Sequence, residues 1–235
     1  MAAGDMVRAK TASPEARLWR HLIRELGVQT VVLFAAAGTL RYWQAWTYLA
    51  VRLMPMVVTN VYMIRSDREL LLRRLKLVEE GETQGVHKVF FVAVQLLGLA
   101  IFVVAGLDRR FGWSAAALPL VLGASLAVAA SGLLIFRVFR ENTYCSSVIE
   151  IGTGQSVVST GPYRLVRHPM YTGALLGVVA TPFALGSYAA AALIAPMVAI
   201  FVVRILAEER FLAVGLPGYA EYMGQTRKRL LPGVW

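Results

Sequence analysis

Long uncharged runs separated by short clusters of Arg and Lys dominate this chain. A helix that crosses a bilayer needs about 20 apolar residues for a hydrocarbon core of roughly 30 Å. Runs of that kind predict helices over residues 26–40, 43–64, 89–107 and 113–136, the first being the least apolar. A further uncharged run extends from Met170 to Val203. As one helix it would reach about 51 Å at about 1.5 Å per residue, too long for a single crossing. Pro182 and Gly186-Ser187 near its middle predict a hairpin of two shortish helices instead. The expected fold is all-α: a polytopic transmembrane helix bundle of about six spans, or five if the first helix lies in the interface, with a C-terminal helical hairpin. Residues 1–25 read as a cytoplasmic lead-in, 26–139 as helices one to four, and 140–235 as a motif region of loop, hairpin and C-terminal cover.

Composition agrees. Hydrophobic residues make up 57% of the chain and charged residues 16%, where a soluble domain carries about 25% charge. The net charge of +10 does not point to nucleic acid, because the basic residues flank apolar runs and form no stripe interleaved with aromatics. With six spans, all of the 24 Lys and Arg except Arg41, Arg52, Arg109 and Arg110 fall on one side. Positive charge marks the cytoplasmic side of a membrane protein, so both termini are expected there, beside anionic membrane lipids. The single Cys145 excludes an internal disulfide, and no Cys/His cluster has the spacing of a metal site. His21 and His87 read as boundary residues.

Two polar clusters bracket the hairpin: GPYRLVRHPMYTG from Gly161 to Gly173, and RILAEER from Arg204 to Arg210. Chain reversal at Gly186 returns the second to the side where the first began, forming a pocket at the cytoplasmic face. Pro162 and Pro169 disfavour α geometry at Gly161 and His168, so the block is a stiff segment leading into a helix. Arg167 and His168 suit either an anion site or interfacial anchors. Arg204 and Glu208 share a helical face and read either as a structural salt bridge or as a functional pair, with Glu209 turned toward another partner. Arg52 lies inside the second run, with Asn60 eight residues on. An intramembrane Arg faces the bundle or a wet cavity, and this one either binds a lipid phosphate or substrate carboxylate or holds helices together. The polar connector 137–160, with Asn142 and Tyr144, is expected over the cytoplasmic mouth.

These strings, with GYAEYMGQTRKRLLPGVW after them, resemble the isoprenylcysteine carboxyl methyltransferase and phospholipid methyltransferase superfamily. The resemblance covers roughly Asn142 to Trp235, and the earlier helices match only as hydrophobic helices. It implies methyl transfer from S-adenosylmethionine to a lipid-like acceptor in the membrane, with no metal. It implies that Tyr163, His168 and Tyr171 line the cofactor and that Gly161 and Pro162 shape its pocket. Arg167 and His168 would then meet its carboxylate, and Glu208 and Glu209 its other polar groups. Arg204 would lie toward the reacting end, and Tyr219 and Tyr222 on the C-terminal cover. Arg52 and Arg204 favour carboxyl O-methylation slightly over amine N-methylation, for which Glu208 or Glu209 would serve as base. The alternative is an NADPH-dependent membrane reductase of the sterol and steroid type, with Arg227, Lys228 and Arg229 for the 2′-phosphate.

Overall fold

The computed structural model describes residues 13–81, 85–144, 151 and 154–235. Cys145, Arg8, Lys10 and part of the 137–160 connector lie outside them, as does the side chain of His87. Among the described residues the chain is all helix and turn, with no strand. Helix α1 spans Pro14–Ala37, α2 Trp43–Ser66, α3 Arg68–Gly81, α4 Gly85–Phe111 and α5 Leu118–Glu141. After the connector come α6 (Pro169–Ala184), α7 (Ile194–Gly215) and α8 (Tyr219–Gln225), with 3₁₀ turns at Gly161–Arg164 and Ala189–Leu193.

Among the described residues, four segments are long and apolar enough to cross a membrane: Trp43–Ser66, Lys88–Phe111, Leu118–Glu141 and Ala189–Gly215. They fit an integral membrane protein. Helix α6 is apolar but has only 16 residues. Helix α1 starts earlier than its apolar run because Ser13 caps it, accepting a hydrogen bond from Ala16 N, and Pro14 opens it. Its first half therefore carries Arg17, Arg20, Arg24 and Glu25. The connector between α2 and α4 contains α3, whose Leu70, Leu71 and Leu75 pack with Met63 and Phe139. Asp67 caps α3 by accepting from Leu70 N at 2.9 Å.

The hairpin forms where Pro182 and Gly186 predict it: α6 ends at Ala184 and Gly186 turns with φ +77°. Its first helix seats tightly on α5. A Cβ on Gly173 would lie 2.8 Å from Ile135 Cγ1, and one on Gly177 2.8 Å from Ser131 Oγ. This is the small-residue contact by which apolar helices approach closely in lipid.

The end of the bundle at Gly186 is tied by a buried carboxylate. Asp108, 1% exposed, accepts from Ser114 N at 2.6 Å, Ser114 Oγ at 2.5 Å and Ser187 Oγ at 2.5 Å. Tyr42, also buried, donates to the Leu185 carbonyl at 2.5 Å. Exposed Trp43, Trp46, Trp113 and Tyr188 ring this end, the pattern of an aromatic belt at a membrane boundary.

Candidate functional site

The opposite end holds the two clusters, and the hairpin brings them into contact. Gly161 opens the block with φ +54°, and a Cβ there would lie 2.6 Å from the Glu141 carboxylate, so only glycine fits. The Tyr163 hydroxyl accepts from Asn142 Nδ2 at 2.9 Å, and its carbonyl accepts from the Tyr222 hydroxyl at 2.8 Å. The residues after α8 form a strap along the same block. Arg167 N and His168 N donate to the Lys228 and Arg229 carbonyls, each at 2.9 Å, and Thr172 Oγ1 donates to the Leu230 carbonyl at 2.8 Å. Arg229 stacks over Trp235 at 5.0 Å.

Glu209, 4% exposed, is the hub. Its Oε1 accepts from Arg167 Nε at 2.6 Å and lies 3.1 Å from His168 Nε2, and its Oε2 accepts from Arg229 Nε at 2.8 Å. Arg167 also donates to the Thr226 carbonyl at 2.8 Å. Facing a carboxylate, His168 carries a proton on Nε2. One buried carboxylate thus joins the start of α6, α7 and the strap, and Arg167 and His168 (6% and 5% exposed) both turn to it.

Glu208 faces elsewhere. Its Oε2 accepts from the Tyr171 hydroxyl at 2.6 Å, and Tyr171 packs edge-on against Phe201 and 5.7 Å from the His168 ring. Arg204 Nε donates to the Tyr171 hydroxyl at 3.4 Å, and its guanidinium lies over Phe90 at 5.0 Å. Tyr163, Arg167, His168, Tyr171 and Glu208 all line one cavity of about 540 Å³. Arg204, Glu209 and Tyr219 lie off its lining. The cavity continues along α2 past Asn60 to Arg52 and Glu25, with Phe90, Val94, Val128 and Ile135 among its apolar walls.

The Tyr219 hydroxyl is buried and has no hydrogen-bond partner. Burial first, and then the carboxylates of Glu209 and Glu208, push its phenol well above the ordinary range. It stays a protonated donor in need of an acceptor.

The segment from α5 to α7 matches the family model for phospholipid methyltransferase over residues 118–215. Over this segment the chain resembles the phospholipid methyltransferase family. A similar curated protein is the cobalt-zinc-cadmium resistance protein CzcN of Cupriavidus metallidurans, 34% identical over 84 residues, which is 35% of this chain. The match spans about two-fifths, 39%, of that relative's length. Within the family segment lie Tyr163, Arg167, His168, Tyr171, Arg204, Glu208 and Glu209; the α8 tyrosines, the strap and Arg52 lie outside it.

Sequence reasoning missed four parts of the site. Thr226, Arg229 and Trp235 belong to a segment read as a cover or, for Arg229, as a phosphate ligand. Thr172 sits inside the quoted block but carried no expectation. Glu25 and His21 line the cavity from α1, whose polar first half read as a surface lead-in. Phe90 and Phe201 line it too, hidden among equally apolar neighbours. Tyr144, on the connector expected over the cytoplasmic mouth, packs under Arg73 at 4.5 Å.

Proposed function

We propose that this chain is an integral membrane methyltransferase that uses S-adenosylmethionine, at a pocket on the cytoplasmic face, to methylate a lipophilic acceptor. The supporting observation is the cavity wall formed by His168, Tyr171 and Glu208 inside a phospholipid methyltransferase family segment. The residues present fit the cofactor. Glu208 offers a carboxylate to its ammonium or ribose hydroxyls, and the orphaned Tyr219 hydroxyl offers a buried donor at the C-terminal cover. When bound, the cofactor supplies a methyl group already activated by its positive sulfur.

The protein's part is then positioning. The Glu209 hub fixes the block against α7 and the strap, so the His168 and Tyr171 rings keep a set orientation. The Tyr171 hydroxyl, donating to Glu208, turns that carboxylate into the cavity. Phe90 and Phe201 keep water from the reacting atoms, and alignment lowers the barrier without a nucleophile from the protein. A carboxylate oxygen is the favoured acceptor, since it needs no base. With an amine acceptor, Glu208 would take the proton. The reductase alternative loses one of its three expected phosphate ligands, because Arg229 is bound to Glu209.

Purified protein in detergent, titrated with S-adenosylmethionine, S-adenosylhomocysteine and NADPH, is expected to be stabilised against heat by the first two only. Stabilisation by NADPH alone overturns the reading. Incubated with membrane lipids, the chain should transfer a labelled methyl into a product that base releases as methanol; a base-stable label would mean amine methylation.

The six-span arrangement joins α1 and the α6–α7 hairpin to the three other long helices and places both termini in the cytoplasm. In intact cells, a cysteine replacing Gly112 should react with a membrane-impermeant maleimide, and one replacing Gln155 should not. The reverse labelling pattern would refute the orientation.

A further inference from the structure

The end of the cavity remote from His168 has chemistry of its own. Arg52 lies one turn before Pro55 on α2, and its Nη2 donates to Glu25 Oε1 at 2.7 Å, across from α1. Glu25 also accepts from Gln29 Nε2 at 3.1 Å on the same oxygen. Arg52 Nε is buried and has no hydrogen-bond partner. The contact with the carboxylate is therefore one-pronged, with Tyr48 also beside the guanidinium, although a guanidinium presents a planar fork suited to two parallel bonds with a carboxylate or phosphate. Both side chains line the cavity and are only partly covered, at 31% and 41% exposure. Two charges among apolar helices, joined through a single guanidinium nitrogen and open to a cavity, leave the rest of the fork for an incoming anion.

The position separates this anion site from the reacting end. Met63, further along α2, belongs to the cluster against which Met170 packs, two residues from His168. Arg52 lies eleven residues before Met63, about 16 Å of helix rise. A group bound at Arg52 is not the group presented to a methyl donor beside His168 and Tyr171. Between the two ends the walls are largely apolar, with Pro55, Met56, Val94, Val128 and Ile135.

We propose that Arg52 holds the anionic end of an elongated, single-chain amphiphilic acceptor, and that Glu25 occupies this position as an internal substitute until the acceptor arrives. The acceptor's carboxylate or phosphate bonds to Arg52 Nε and an Nη and displaces Glu25. Its chain fills the apolar stretch, and its reacting group lies at the opposite end. The inference rests on the methyltransferase reading only for what fills the His168 end.

The test uses the purified full chain in a non-ionic detergent and follows heat stability with decanoate, decyl phosphate and decanol, with S-adenosylhomocysteine run separately. Decanoate or decyl phosphate should stabilise the wild type more than decanol does. Which of the two acts identifies a fatty-acid-like or a phosphate-ester acceptor, and a response to both still supports the site. Glu25→Gln should lower the ligand-free melting temperature and reduce the half-saturating anion concentration about tenfold, which corresponds to relief of an internal competitor of moderate strength. Arg52→Gln should erase the preference for the anions over decanol while keeping the response to S-adenosylhomocysteine. Equal responses to decanol and both anions in the wild type, or unchanged anion affinity in Glu25→Gln, overturn the proposal even if Arg52→Gln fails to fold. An anion response that behaves as expected in a chain indifferent to S-adenosylhomocysteine leaves the Arg52 site standing and removes the methyltransferase reading.

Discussion

Glu209→Gln is expected to destabilise the folded chain by about 3–5 kcal/mol, the usual cost of removing one partner from a buried ion pair. The size of the effect follows from what the substitution leaves behind. Arg167 and His168 are both nearly fully buried and would face a neutral amide, and the Arg229 guanidinium would lose the carboxylate to which it donates. The loss spreads, because the backbone bonds from Arg167 and His168 to the strap depend on the same register. Heat and denaturant unfolding in detergent would measure it. Arg229→Gln should cost less, since Arg229 is 29% exposed where the Glu209 side chain is 5% exposed. A Glu209→Gln protein that melts with the wild type would show that the hub carries no stability.

Glu208→Gln should behave in the opposite way. Its partner is the Tyr171 hydroxyl, which an amide oxygen can still accept, so the fold should survive with its melting temperature little changed. Methyl transfer should fall by roughly 10²-fold or more, in the range for removing a positioned ionised group from a reacting site. Tyr171→Phe should give a smaller loss, because it frees the carboxylate without removing its charge. The check is a single-turnover measurement of labelled methyl transfer, with S-adenosylhomocysteine affinity measured in parallel. Wild-type turnover in Glu208→Gln would reduce this carboxylate to a structural partner of Tyr171. The contrast between the two variants is the sharpest test available, because the residues are neighbours in sequence and opposite in predicted effect.

That contrast also marks where sequence reasoning stops. Hydropathy located α2 and α4 to within about four residues at each end, because apolar runs of that length have few other uses, but for α7 it found only the apolar part, since the helix continues past Val203 to Gly215. It placed the start of α5 too early, at Trp113. The segment 113–117 is occupied with the Asp108 tie, and the helix begins only at Leu118 with Pro119 in its first turn. The amphipathic α3 was hidden by its charge density, although Leu70, Leu71 and Leu75 carry its buried face. The hairpin was legible because Pro182 and Gly186 punctuate the run, and with it the meeting of His168 and the RILAEER cluster. The division of labour between Glu208 and Glu209 was not legible. Adjacent residues on a helix point about 100° apart, and which one turns inward depends on how α7 rotates against α6 and on Arg229 arriving from the strap. Glu25 and Arg52 sit on separate helices, 27 positions apart, and no local pattern links them.

The shortness of α6 has a consequence for where the reaction sits relative to lipid. Its 16 residues rise about 24 Å, against roughly 30 Å for the hydrocarbon layer. The far end is fixed by the tryptophans and Tyr188 at the aromatic belt. For an α6 lying along the membrane normal and ending at that belt, His168 would lie about 6 Å inside the opposite boundary. On the proposed methyltransferase reading, the His168 end would be a well sunk below the headgroup plane, which a water-soluble donor would enter from above and a membrane-dissolved acceptor from the side.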